Sequence, residues 1–284
     1  MKNALFILLL LFPVFTYGHT APDSSSAYQP LIERLSGEGF DSDFLSRLFK
    51  DDRAGLIPDR MMISLETKEK EEWYTQFVSP ESILLAQKFL HQNLKQLKQV
   101  EKQFSVDKEV IVAILLVESR FGENTGKHRV IPTLASMALM DAPDNLQANY
   151  RMLKEIDPDL SFEWVENRAK RRASWAYKEL KCFLTILRDE RVDPLEVKGS
   201  HAGALGMPQF IPSSYLTFAI RKSGFETWLS SMEEAILSIA NYLNLNGWKK
   251  KMSVEHKRKV LWSYNHSEPY IETILRVAAK IRRK

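Results

Sequence analysis

The stretch VIVAILLVESRFG, residues 110–122, decides how the chain is read. Eight apolar residues, Val110 to Val117, run without a break and end on a carboxylate, Glu118. As a helix, the segment places Glu118 on the face it shares with Ile111, Ile114 and Leu115. A carboxyl group set above apolar side chains is desolvated, which disfavours its charged form and raises its pKa. Gly122 is the expected helix stop, so Glu118 also lies near the negative end of the helix dipole, which acts in the same direction. Arg120, two residues on, points elsewhere on a helix. Together these influences suit a general acid that holds its proton near neutral pH. The structural alternative is a Glu at the rim of the core, paired with Lys127 or Arg129.

Outward from this segment the pattern is helical almost throughout, from Pro30 to the end. GFDSDFLSRLF (39–49) opens with capping chemistry and continues with apolar residues at 44, 45, 48 and 49. Ser79-Pro80 opens a longer helix whose apolar stripe runs through positions 83, 84, 90, 94, 97 and 100. Ser105 or Asp107 caps the helix that carries Glu118. Further helices are expected around 133–140, 145–155, 162–189, 231–246 and 268–282, with room for a short hairpin near 190–205. There is no internal repeat. Asp141 to Lys170 is polar and reads as a solvated helical excursion. The fold class is therefore all-α, at most with a small hairpin, as one domain in two lobes around a cleft.

The 284 residues suffice for a well-buried core, and 44% hydrophobic with 27% charged residues is ordinary for a globular protein. A net charge of +4 is too mild for a dedicated nucleic-acid binder, so no nucleic-acid partner is expected. MKNALFILLLLFPVFTYG has a basic start, an apolar run and small residues at its end. Residues 1–18 are read as a secretory signal peptide cut after Gly18, or alternatively after Ala21. Roughly a dozen apolar residues are too few for a membrane span, and with no cysteine nearby a lipid anchor is not expected. Loss of Lys2 with this segment takes the charge from +4 to +3. The chain is thus divided into a signal peptide (1–18), a disordered or loosely attached stretch (19–29) and one catalytic domain (30–284), exported and most plausibly periplasmic. The single cysteine, Cys182, cannot form an internal disulfide and sits in a helical pattern, WAYKELKCFLTIL, as a small apolar residue.

Two further stretches carry chemistry. KGSHAGALGMPQFIPSSY (198–215) contains Gly199, Gly203 and Gly206, which let a backbone come close to a ligand. Ser200, Gln209, Ser213, Ser214 and Tyr215 add neutral hydrogen-bonding groups. That mixture suits a sugar, and the segment brings no second carboxylate for a two-acid glycosidase scheme. WSYNHSEPYIETIL (262–275) offers Tyr264, Asn265 and Tyr270 for stacking and hydrogen bonding, or simply for packing.

In order and spacing, ESRFG, GALGMPQFIPSSY, IANYLNLNGW and YNHSEPY resemble the soluble lytic transglycosylase B family, from about Phe40 to the C-terminus. The resemblance implies a lysozyme-like helical core with Glu118 as its one essential acid and then base. The substrate it implies is peptidoglycan glycan strands, cut between N-acetylmuramic acid and N-acetylglucosamine to leave 1,6-anhydro ends. Carried over by motif, the sugar-contacting residues are Ser200, Gln209, Tyr242, Tyr264, Asn265 and Tyr270. Arg171 and Arg172 resemble an arginine pair suited to the carboxylates of muramyl lactate or stem peptide. An upstream cleft tyrosine of the family aligns with Trp73, which stacks but has no hydroxyl.

No cofactor or metal is implied. Where some relatives carry a calcium loop, IRKSGFETWLSS (220–231) lacks the acidic ligands. The 141–170 segment looks like an insertion over the cleft, and the stretch before YN is short. Two other readings belong to different classes: a lysozyme- or chitosanase-like hydrolase that uses water, and a wall-binding protein without turnover.

Overall fold

The structure, a computed structural model, describes residues 24–65, 69–188 and 190–282. The signal-peptide expectation for residues 1–18 lies outside these. The helices run α1 (Ser24–Ala27), α2 (Gln29–Gly37), α3 (Ser42–Lys50), α4 (Pro80–Gln92), α5 (Leu94–Phe104), α6 (Lys108–Ser119) and α7 (Val130–Ala138). They continue with α8 (Pro143–Ile156), α9 (Phe162–Leu187), α10 (Pro212–Phe218), α11 (Phe225–Ser230), α12 (Met232–Leu245), α13 (Val254–Tyr264) and α14 (Glu268–Arg282). Among the described residues no helix is long and apolar enough to cross a membrane.

The opening stretch is the centre of the molecule. Every residue of α6 from Glu109 to Leu116 is buried, because α14, α4, α5 and α12 surround it. A helix apolar on all sides needs neighbours on all sides, and this one has them. The second fully buried helix is α7, packed along α9. Asp41 and Ser79 cap α3 and α4 as their sequences require.

Several details depart from the sequence expectation. The helix begun at Ser79 breaks at Asn93, whose side-chain amide and backbone N–H both donate to the Phe89 carbonyl at 3.0 Å. Asp107 precedes α6 but caps nothing with its side chain. Its carboxylate instead accepts from Trp248 Nε1 at 3.2 Å, Lys257 Nζ at 2.9 Å and an Arg282 nitrogen at 3.1 Å. Helices α10, α11 and α13 were not expected; the first two, of 7 and 6 residues, are too brief to show a period. The hairpin near 190–205 is not local: Lys198–Gly199 pairs antiparallel with distant His128–Arg129. Nor is the N-terminal stretch to residue 29 loosely attached over its described part. Tyr28 is 0% exposed, stacks near Phe49 and donates to the Ala54 carbonyl. Cys182 is only half-buried.

Residues 141–170 are more than a solvated excursion. With Ile63 and Met140, the residues Leu146, Leu153, Leu160, Val165, Ala169 and Ala173 form a second, smaller core. Asn149 stitches the 61–63 segment to this lobe. It accepts from Ile63 N–H at 2.7 Å and donates to the Met61 carbonyl at 2.9 Å.

Candidate active site

Helix α6 stops one residue after Glu118. Arg120 and Phe121 both take left-handed backbone angles, φ 50° and 61°, and Gly122 follows at 92°. The stop therefore precedes the glycine that the sequence suggested. Left-handed geometry is costly for a phenylalanine, and the ring of Phe121 is held by stacking on Phe89 at 4.2 Å. Arg120 turns to Glu123, away from the acid, as its spacing implied. Lys127 and Arg129 take no part: Arg129 donates to the Leu195 carbonyl.

Glu118 is half-buried, with protein on most sides and part of its surface open to solvent. Its Oε1 accepts from the Tyr270 hydroxyl at 2.7 Å. Burial pushes its pKa up from 4.5 to about 8; the Tyr270 hydrogen bond pulls it down, and the charge of Glu69 raises it further. At neutral pH the group is a carboxylic acid.

Around it stands a wall of tyrosines. Tyr270 lies in the first turn of α14, is 1% exposed and stacks parallel to Tyr264 at 6.3 Å. Tyr264 donates to the Pro208 carbonyl at 2.7 Å and meets the ring of Tyr242 edge-on at 4.7 Å. Burial pushes the phenols of Tyr264 and Tyr270 well above 10, and that of Tyr242 to about 12, so all remain hydrogen-bond donors. Tyr242 donates to the Ser263 carbonyl, which fixes the segment ahead of Asn265. Asn265 caps the end of α13, half-buried beside Tyr264.

Trp73 is not the residue that faces this wall. It is 45% exposed, and its neighbour Tyr74, within a 3-10 helix (Glu71–Val78), turns inward. The Tyr74 ring meets Tyr270 edge-on at 6.2 Å and its hydroxyl donates to Glu69. The alignment placed the aromatic one position early. Glu69 was not anticipated: it sits in a run of charged residues that reads as a solvated face.

The loop after Lys198 is built for packing. An added Cβ at Gly126 would lie 2.0 Å from the Gly199 carbonyl oxygen, and one at Gly199 would lie 2.3 Å from that of Ala204. These glycines let backbone approach backbone, not ligand. The Ser200 hydroxyl oxygen accepts from the Ala202 and Ala204 N–H groups. Gln209, at φ 51°, donates its amide to the carbonyls of Thr125 at 3.1 Å and Gly206 at 2.8 Å, leaving its own carbonyl oxygen for a ligand. Ser213 is held by buried Glu179, and Tyr215 belongs to the core against Trp228.

Arg171 and Arg172 line a separate cavity of about 500 Å³ with Arg168, Trp175, Ser64 and Met140. Burial pushes the guanidinium pKa of Arg172 down, as do Arg168 and Arg60. Arg60 Nε is buried with no partner among the described residues. His201 connects the two regions: it feels Arg60, Arg172 and His128 on one side and Glu69 on the other. Arg60 and Arg168 escape a motif reading because only the folded lobe brings them beside the expected pair.

One group of carboxylates, Glu101, Asp107 and Glu109, is close enough to hold a cation, but Lys108, Lys257 and Arg282 already occupy its oxygens. Within the 220–231 segment, the Ser223 backbone N–H and hydroxyl donate to Glu234 of α12.

A helix-end acid beneath a tyrosine wall defines a class, and comparison with known proteins gives it a family. The profile of the Transglycosylase SLT domain matches residues 23–260, and the chain belongs to this family. The membrane-bound lytic murein transglycosylase B of Escherichia coli (strain K12) is 34% identical over 177 residues, 61% of this chain and 41% of that protein. The match thus spans well under half of that relative's length. The fold is that of the soluble lytic transglycosylase SltB1 from Pseudomonas aeruginosa, with a TM-score of 0.68, 23% identity and coverage of 92% of this chain and 99% of that one. The lytic transglycosylase Slt35 of Escherichia coli, solved in complex with bulgecin A, gives a TM-score of 0.70 at 23% identity, covering 90% and 92%. The all-α, lysozyme-like architecture expected from the sequence is the one observed.

Proposed function

We propose that the protein is an exported lytic transglycosylase that cuts peptidoglycan glycan strands. The observation that carries this reading is the state of Glu118: a half-buried carboxyl group whose pKa burial raises to about 8, held by one phenol. In the proposed reaction, Glu118 gives its proton to the oxygen bridging N-acetylmuramic acid and N-acetylglucosamine, and the C1–O bond breaks. The acetamido oxygen of the substrate supports the positive C1 centre. The Glu118 carboxylate then takes the proton of the sugar's own C6 hydroxyl, whose oxygen closes onto C1 as a 1,6-anhydro ring. Glu118 ends protonated and no water is consumed.

Tyr242, Tyr264, Asn265 and Tyr270 form the wall on which a sugar ring rests, with the Gln209 carbonyl oxygen and the Ser200 hydroxyl proton as polar contacts. Tyr74, in place of Trp73, extends this wall from the 3-10 helix. Arg171 and Arg172, with Arg168 and Arg60, suit the lactyl and stem-peptide carboxylates. No cofactor takes part in this scheme. Residues 1–18 support export to the periplasm without a lipid anchor, although the Escherichia coli relative is by its name membrane-bound. Metabolic labelling with a radioactive fatty acid tests that point.

The reaction is tested by digesting purified glycan strands and weighing the products. Ends lighter than reducing ends by one water support transglycosylation; reducing ends would assign the site to hydrolysis, and intact strands to binding alone.

A further inference from the structure

Among the described residues, a small set of groups acts on Glu118. Tyr270 from α14 touches it, Tyr264 from α13 and Tyr74 from the 3-10 helix stand within its electrostatic reach, and one charged side chain, Glu69, acts on it from the segment before that helix. Glu69 is half-buried and accepts the Tyr74 hydroxyl. Tyr74 in turn leans edge-on against Tyr270 at 6.2 Å, and Tyr270 donates to Glu118 at 2.7 Å. A continuous path of two phenols therefore joins two carboxylates. Among the described residues His201 also lies within electrostatic reach of Glu69, and desolvation together with Arg60, Arg172 and His128 lowers the pKa of that imidazole.

We propose that Glu69 is a second carboxylate of the active site, a positioning residue that holds Tyr74 against Tyr270 and, along that path, shapes the surroundings of Glu118. The inference rests on the reading of Glu118 as the proton donor. A like charge nearby makes it costly for Glu118 to ionise, so the proton stays until a substrate oxygen takes it. The same charge makes Tyr74 a committed donor, which fixes its ring as part of the wall. Glu69 touches no reacting atom in this arrangement and acts through its neighbours.

The test uses the full chain with glutamate labelled at the side-chain carboxyl carbon, the Glu118 signal being assigned by its loss in Glu118→Gln. Glu69→Gln keeps an acceptor for Tyr74 and removes the charge. The Glu118 titration midpoint is expected to fall by about 0.5 pH unit or more, and the alkaline limb of strand cleavage to move with it. Glu69→Asp restores the charge and is expected to return the midpoint to that of the wild type. A Glu69→Gln midpoint within about 0.2 unit of the wild type would overturn the proposal and leave Glu69 as a loop anchor only. Because the titration is read without substrate, it separates this inference from the proposed reaction. Uncleaved strands count against the reaction, while an unmoved midpoint counts against Glu69.

Discussion

Tyr270 and Glu118 lie 152 residues apart in the chain and share a hydrogen bond of 2.7 Å, the phenol donating to Oε1. In the proposed reaction the bond is needed most when Glu118 is a carboxylate, after its proton has gone to the leaving sugar. Tyr270→Phe removes that donor, so the Glu118 pKa moves above about 8 and the alkaline limb of the rate profile moves up with it. The maximal rate is expected to fall by about tenfold, because the base step loses the group that stabilises the carboxylate. A pH–rate profile on purified glycan strands measures both effects. A limb that moves down would reverse the assigned sense of this bond.

Glu118 weakens the fold in the pH range where it serves as the acid. Its folded pKa of about 8 stands above the ordinary 4.5, so between these values the unfolded chain gives up a proton that the native state retains. Stability from this group is therefore intact below about pH 4.5 and declines as pH rises toward 8. Glu118→Gln is expected to be more stable than the wild type by up to about 4 kcal/mol at pH 7.5, with the difference vanishing near pH 4. Urea denaturation of both proteins at the two pH values checks this. The same variant is expected to lose activity by ~10²-fold or more.

Much of this was legible in the sequence because local chemistry and global burial agree at α6. An unbroken apolar run followed by a carboxylate specifies both a central helix and a perturbed acid. The rest was hidden for physical reasons. Whether Trp73 or Tyr74 turns inward depends on the register of a 3-10 helix, whose period differs from that of an α-helix. The glycines of the 198–206 loop read as ligand contacts, and only the fold shows that Gly199 answers the distant Gly126. Glu69 and Arg60 are surface-like in composition, and only the fold brings them to Tyr74 and Arg172, through contacts that no spacing rule encodes.

The arginine cavity makes a prediction about substrate choice. Arg168 and Arg172 face a space of about 500 Å³, and neither has a carboxylate partner among the described residues. Unpaired guanidinium groups in a half-enclosed pocket favour an anionic guest, and the stem peptide and lactyl group supply one. Arg172→Gln is expected to raise KM by about tenfold on strands bearing stem peptides, with kcat little changed. On strands stripped of peptide by an amidase the variant is expected to lie closer to the wild type. Raising salt should weaken the wild type toward the variant, since the attraction is between charges. Equal loss on both substrates would place Arg172 in scaffolding instead.

The other end of α6 is anchored by a buried ion cluster remote from Glu118. Asp107, whose side chain is 5% exposed, gathers Trp248, Lys257 and Arg282 where α6 begins. Lys257 is itself nearly enclosed, at 14%. Removing the carboxylate with Asp107→Ala leaves that ammonium and the indole N–H without their acceptor, a change expected to cost about 3 kcal/mol. The 12 residues of α6 put this cluster about 17 Å from the acid. Stability and chemistry are therefore expected to separate. Asp107→Ala should lower the urea midpoint at an unchanged slope, while enzyme still folded at low temperature keeps the wild-type pH–rate profile. Asp107→Asn, which retains an acceptor for Trp248 but not the charge, should fall between the two. A displaced alkaline limb in Asp107→Ala would instead mean that α6 shifts as a rigid rod and carries Glu118 with it, making the Asp107 cluster part of what sets the acid's environment.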